Sequence, residues 1–416
     1  MTNFSVWLLF FSLFSSASGI ALSTALLVVF GSWTLRDHLR EIPSVPLFWP
    51  IVFFILAAIA SILFAEGTGF GKPLGKLRYF AFYFLLALYF AYYQANRARL
   101  AWAGTFLAFA LLVIATLQFL GIFCPLQAFR ITPAPLVPFY EDENYLHARG
   151  LLYHHNPFGY TSLLLYYLLL GQALESPVRR QRLWTAAGAI ALLPAIALSG
   201  SRGAWLAWGI STVAVVVVCL RGRWKPLILS LGAIGLLALC FTPPLADRLQ
   251  TIRLQGNGDR LRYWEICWDI FKDNPVLGAG YHHGFEVQRE KYMRGPEETE
   301  NPRFATDPHS LYFDLLATTG IVGSLAFALF LFCAFRSYLL AWRKNLLPAE
   351  RATLVTGIGS LTAFCVGAAF DSHFFHTQTL MATLFFLGLG QSVAFQYSPG
   401  FGNTRRLLQG RSRDLP

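Results

Sequence analysis

Charge is what this 416-residue chain has least of. Only 13% of its residues are Asp, Glu, Lys or Arg, while 55% are hydrophobic and 16% aromatic. A soluble domain carries close to twice that charged fraction, so the composition excludes a soluble globular enzyme and implies a polytopic membrane protein. Cysteine is also scarce. The six cysteines show no spaced framework. Cys219, Cys240, Cys333 and Cys365 fall in or beside apolar runs, where the thiol acts as a small hydrophobe. Cys124 and Cys267 fall on the side expected to face outward, where an oxidising compartment would allow them to pair. Nucleotide-binding glycine patterns are missing as well. The stretch from Glu66 to Lys76 is glycine-rich and basic, but neither Gly-Lys pair has the earlier glycine that a P-loop requires, so it reads as a flexible outer turn. Leu277-Gly-Ala-Gly280 has no preceding strand and is no dinucleotide fingerprint. No Lys or Arg precedes the first apolar run, so that run is read as retained and not as a cleaved signal peptide.

What the chain does have is apolar runs of spanning length, which need roughly 17–25 residues each. They predict an all-α polytopic protein with about twelve transmembrane helices, near 4–16, 18–34, 46–65, 77–95, 100–122, 155–174, 183–199, 203–220, 225–241, 310–335, 352–370 and 374–396. Ser15-Ser16-Ala17-Ser18-Gly19 suggests a break between the first two. The runs divide the chain into 1–240, with about nine helices and a small outer loop near 123–155, then one large outer loop at 241–309. Three more helices follow at 310–396, and a basic tail at 397–416.

The net charge of +11 would point to nucleic acid in a soluble protein, but its distribution excludes that reading. Alternate connections carry the basic residues, among them Arg36, Arg97, Arg99, Arg179, Arg180, Arg182, Arg221, Arg223, Arg343, Lys344, Arg405 and Arg406, with few acidic partners. The remaining connections are close to neutral. This is the positive-inside pattern, and it predicts cytoplasmic termini with the large loop facing outward.

Candidate chemistry gathers on that outer side. Ser199-Gly200-Ser201-Arg202-Gly203 sets an arginine between small-residue turns where a helix begins, so amides and dipole favour an anion beside Arg202. Within the large loop, Leu261, Trp264, Trp268 and Phe271 recur as one apolar stripe, which predicts an amphipathic helix lying on the membrane or on the bundle. Arg260 and Arg262 on it point about 200° apart, so at most one faces a given ligand. Of nine histidines, only His38 falls on the inner side; His147, His154, His155, His282, His283, His309, His373 and His376 fall on or near the outer one. Metal is the rival reading, at Glu141-Asp142-Glu143 or at His373-x-x-His376, but neither has a convergent set of partners, so no metal or cofactor is expected. A transporter is a second rival. It would place ionisable groups in helix interiors and show internal repeats, and neither is evident. A non-catalytic lipid-binding scaffold is a third.

Three segments together resemble the O-antigen ligase and polymerase superfamily: Ser199-Gly-Ser-Arg202-Gly-Ala-Trp-Leu, Arg260-Leu-Arg-Tyr-Trp264 continuing to Asn274-Pro-Val-Leu-Gly-Ala-Gly280, and His309-Ser-Leu-Tyr-Phe-Asp-Leu-Leu-Ala-Thr-Thr-Gly320. Arg149-Gly-Leu-Leu-Tyr-His-His is similar more loosely. The family often has Asn after the histidine, where this chain has Ser310. The resemblance implies an inner-membrane glycosyltransferase with its active site facing the periplasm. Its donor would be a glycan on undecaprenyl pyrophosphate. Its acceptor would be the lipid A–core for a ligase, or another glycan for a polymerase. It also implies that Arg202, Arg260 and His309 are catalytic. Arg149 and Arg262 join Arg202 and Arg260 as expected pyrophosphate or glycan contacts. The short chain with one dominant outer loop favours ligase over polymerase.

Overall fold

A computed structural model describes residues 1–65, 71–120, 147–152, 154–219, 257–295, 298, 308–372 and 376–398. Among these the chain is helical, with no strand. The principal helices are α1 (Thr2–Ser12), α2 (Ala17–Leu26), α3 (Phe48–Phe64), α4 (Tyr79–Tyr92), α5 (Ala95–Phe119), α6 (His155–Glu175), α7 (Arg179–Leu198), α8 (Arg202–Cys219), α9 (Asn257–Asp273), α10 (Leu311–Trp342), α11 (Pro348–Gly367) and α12 (Thr377–Gln396). Among the described residues, seven segments are long and apolar enough to cross a membrane, where twelve were expected along the whole chain. Every expected span except 225–241 coincides with a helix; that one lies outside the described residues, as do the acidic run 141–143 and His373. The expected break near Ser16 is real: its side chain caps α2 by accepting the Gly19 N–H at 3.1 Å.

Helices α6, α11 and α12 form the centre, with α7 and α8 packed on α6 and α11, and α4 on α12. Nearly every residue of α12 is buried, which explains an apolar sequence with no polar face: a helix surrounded by helices has no side to give to water. Chain direction brings the end of α7 and the starts of α6, α8, α10 and α12 to one end of the bundle, so that Arg202 and His309 share it.

The helix in the large loop forms where periodicity predicted it, but it buries a different face. Tyr263, Ile266, Cys267 and Ile270 are buried with Ala279, Phe285 and Ala317, while Leu261 and Trp268 stay 56% and 48% exposed. The expected stripe is thus mostly the outward one, though Trp264 stacks on Phe313 at 4.9 Å. Two apolar faces compete on this helix, and tertiary docking selects between them. That docking is made by residues 275–280 against a break in α10. Gly320, at φ 60° and ψ −162°, interrupts the helix. Ala279 and Gly280 donate to the Ala317 and Thr318 carbonyls at 2.9 Å each. The Ile321 and Val322 amides donate to the carbonyls of Pro275 at 2.9 Å and Val276 at 3.3 Å. Four backbone groups released by the break are thereby paired again, which an apolar surrounding demands.

Candidate active site

Two helix N-termini face one cavity. The chain enters α6 through His154, whose Nδ1 accepts the Asn156 N–H at 3.2 Å, and enters α8 through Ser201, whose Oγ accepts the Ala204 N–H at 3.4 Å. Between α7 and α8 the backbone turns at Gly200 with φ +66°; a Cβ there would stand 2.1 Å from Nδ1 of His147. Only glycine allows both that left-handed turn and the close approach of the imidazole. The Ala148 N–H donates to the Leu198 carbonyl at the end of α7 at 2.9 Å, tying the segment before α6 to this turn.

The cavity between these elements has a volume of about 370 Å³, and Arg202, Arg260, His147, His154, His155, Tyr160 and Asp371 line it together with Leu206 and Phe370. The histidine rings stack in series, His147 on His155 at 4.8 Å and His155 on His154 at 4.1 Å. Asp371 is buried, accepts the Ser372 N–H at 2.8 Å, and lies 3.9 Å from Nε2 of His376.

The structure thus brings Arg202 and Arg260 together and separates Arg260 from Arg262. Arg262 does not line the cavity. It binds Glu298 at 3.0 Å, Glu265 at 3.2 Å and the Tyr292 carbonyl at 2.6 Å. Although burial works against its charge, hydrogen bonds to Glu298 and Glu265 push its pKa up. The 200° separation of the two arginines is realised as one pointing at the cavity and one pinning α9 to the loop that follows. Arg149 stands beside the site and not among its lining residues. Its backbone is held by the buried Gln118 amide, which accepts from the N–H groups of Arg149 (3.1 Å) and Gly150 (2.9 Å) and donates to the Gly150 carbonyl (2.7 Å).

His309 is likewise not among the lining residues. It has φ 49° and its ring lies 6.1 Å from that of Tyr263, one helical turn from Arg260. Its neighbours are tied down on both sides: Trp264 Nε1 donates to the Pro308 carbonyl at 3.2 Å, and the Leu311 N–H to the Ala368 carbonyl at 2.8 Å. Of the other outer histidines, His282 is driven down to about 4 by burial, with help from the Lys76 charge, and is too weak a base for neutral pH. Among the described residues no three His, Cys, Asp or Glu are grouped to hold a metal.

Asp371 and Tyr160 escaped the sequence reading. Asp371 did leave a signal: it is the only acidic residue between Glu350 and Asp414, set where two apolar spans meet. Tyr160 left none, being one aromatic among many.

A family model for O-antigen ligase matches residues 187–328. That stretch is similar to the O-antigen ligase family. No curated protein matches the chain. The similarity covers about a third of the sequence. Arg202, Arg260 and His309 all fall within the matched stretch. The stacked histidines and Asp371 fall outside it in sequence, and the fold returns them to its cavity.

Proposed function

We propose that the protein is a lipopolysaccharide O-antigen ligase of the bacterial inner membrane. It would move a glycan from undecaprenyl pyrophosphate to the lipid A–core on the periplasmic side, with both termini in the cytoplasm. The observation that carries this is the convergence of two guanidinium groups and two helix N-termini on one cavity. That is an arrangement built for a dianionic or more highly charged group.

The chemistry follows from the charges. A hydroxyl oxygen of the acceptor attacks the anomeric carbon of the donor sugar, and the bond from that carbon to the phosphate oxygen breaks with inversion. Negative charge develops on the departing pyrophosphate, where Arg202 and Arg260 bind it bidentately. Fixed donors of this kind lower a barrier by several kcal/mol in a partly dry site. The hydroxyl proton passes to the imidazole of His309, a contribution of roughly 10²–10⁴-fold. Arg149 meets the pyrophosphate or glycan from the edge, and Arg262 acts through α9 by setting the direction of Arg260. The cationic groups supply the charge that a divalent ion would otherwise bring, so transfer proceeds without metal.

The test is a deletion strain complemented with the gene and its variants. The unaltered gene should restore polymer-bearing lipopolysaccharide, whereas Arg202→Ala and His309→Ala should leave bare core with protein still in the membrane. Wild-type transfer in either variant overturns the reading. Core carrying a single repeat in the deletion strain would instead identify a polymerase.

A further inference from the structure

The exposed residues of α8 are Arg202, Leu206, Ile210, Val213 and Val217. Their spacing places all five within an arc of about 80° at 3.6 residues per turn. The opposite face, with Ala204, Ala207, Ser211 and Val215, is buried, and α8 packs chiefly on α11. One side of this helix is therefore amphiphilic from end to end. A guanidinium stands at the cavity, and an apolar ridge of about 16 Å runs away from it along the helix. Leu206 belongs to both parts, since it lines the cavity beside Arg202 and is itself 40% exposed at the head of the ridge.

We propose that this ridge seats the polyprenyl tail of the donor while the pyrophosphate lies against Arg202. The proposal rests on the donor assignment above and names where its lipid goes. A pyrophosphate held in the cavity must release its tail through an apolar exit, because hydrocarbon gains by leaving water in proportion to the surface it covers. Histidines, Asn156, Ser201 and Asp371 make most of the wall polar. Beyond Phe370 the way is packed, with Ala368 and Phe364 buried. Past Leu206 the wall continues as Ile210 (44% exposed), Val213 and Val217 (each 50%). The order of groups down this face, cation and then hydrocarbon, is the order of groups in a polyprenyl pyrophosphate.

Full-length protein in proteoliposomes, given the same glycan on undecaprenyl or on geranyl pyrophosphate, tests this. The geranyl tail ends before Val213. Val213→Asn and Val217→Asn should raise KM for the undecaprenyl donor about tenfold, the size of losing one or two buried methylenes. They should leave kcat, and KM for the geranyl donor, unchanged, and Val213→Leu should behave as the unaltered protein. A photoreactive phenylalanine at position 213 should crosslink the labelled undecaprenyl donor. Unchanged KM for the long donor, equal losses with both donors, or crosslinking only to bulk phospholipid, to residues 225–241 or to a second copy would each overturn the ridge. An unaltered protein that transfers neither donor would instead defeat the donor assignment itself.

Discussion

Arg260 and Arg262 sit two residues apart and do different work because a helix turns by about 100° per residue. Arg260→Ala should lower transfer by roughly 10²–10³-fold with little change in thermal stability, the size seen when a fixed charge-stabilising donor is removed. Arg260→Lys should not restore it, because an ammonium cannot match the bidentate fork. Arg262→Ala should show the reverse emphasis. It strips partners from Glu298 and the Tyr292 carbonyl, which costs about 1–3 kcal/mol of stability, with a smaller loss of rate. Paired kinetics and thermal melts check this, and equal kinetic losses would mean that both arginines touch the substrate. The sequence contained the 200° angle but could not say which arginine faced inward. Glu265 is close enough to be read from the sequence, but Glu298, which also holds Arg262, lies 36 positions along the chain.

The element that sets Arg260 is α9, and its latch is sensitive to acid. Burial opposes the charge on Glu298, but hydrogen bonds from Arg262 and from the Arg294 N–H outweigh it and hold the carboxyl below its ordinary 4.5. The sign follows from linkage. Its contribution to stability is fully present above about 4.5 and is lost as pH falls through the lowered value. The unaltered protein should therefore show a steeper loss of melting temperature below about pH 4.5 than Glu298→Gln, and the two should titrate in parallel nearer neutrality. Identical acid profiles would remove the latch from the account. The break in α10 has the same character. Asn274-Pro-Val-Leu-Gly-Ala-Gly280 is legible in the sequence as a helix stop followed by a flexible segment. Its role as a clasp around Gly320 is not, since the bonds join segments about forty positions apart.

At the scale of the whole molecule, the proposed mechanism needs Arg202 and His309 to open to one side of one bilayer. Single cysteines placed at the two positions in a cysteine-free background should both react with an impermeant maleimide in spheroplasts, and neither should react in inverted vesicles without permeabilisation. Reaction from opposite sides would separate the two groups by a membrane and end the mechanism. The sequence by itself determined that this chain has the composition of a multi-pass membrane protein and where most of its helices lie. Apolar length and the placement of arginines are local quantities, written residue by residue. It also marked Arg202, Arg260 and His309, because each sits in a run with its own local pattern. Only the tertiary structure decided that Asp371 and the stacked His147, His155 and His154 share a cavity with those arginines, which face of α9 is buried, and that the exposed side of α8 leads out of that cavity. These depend on contacts between distant segments, and hydrophobic periodicity carries no record of which segment meets which.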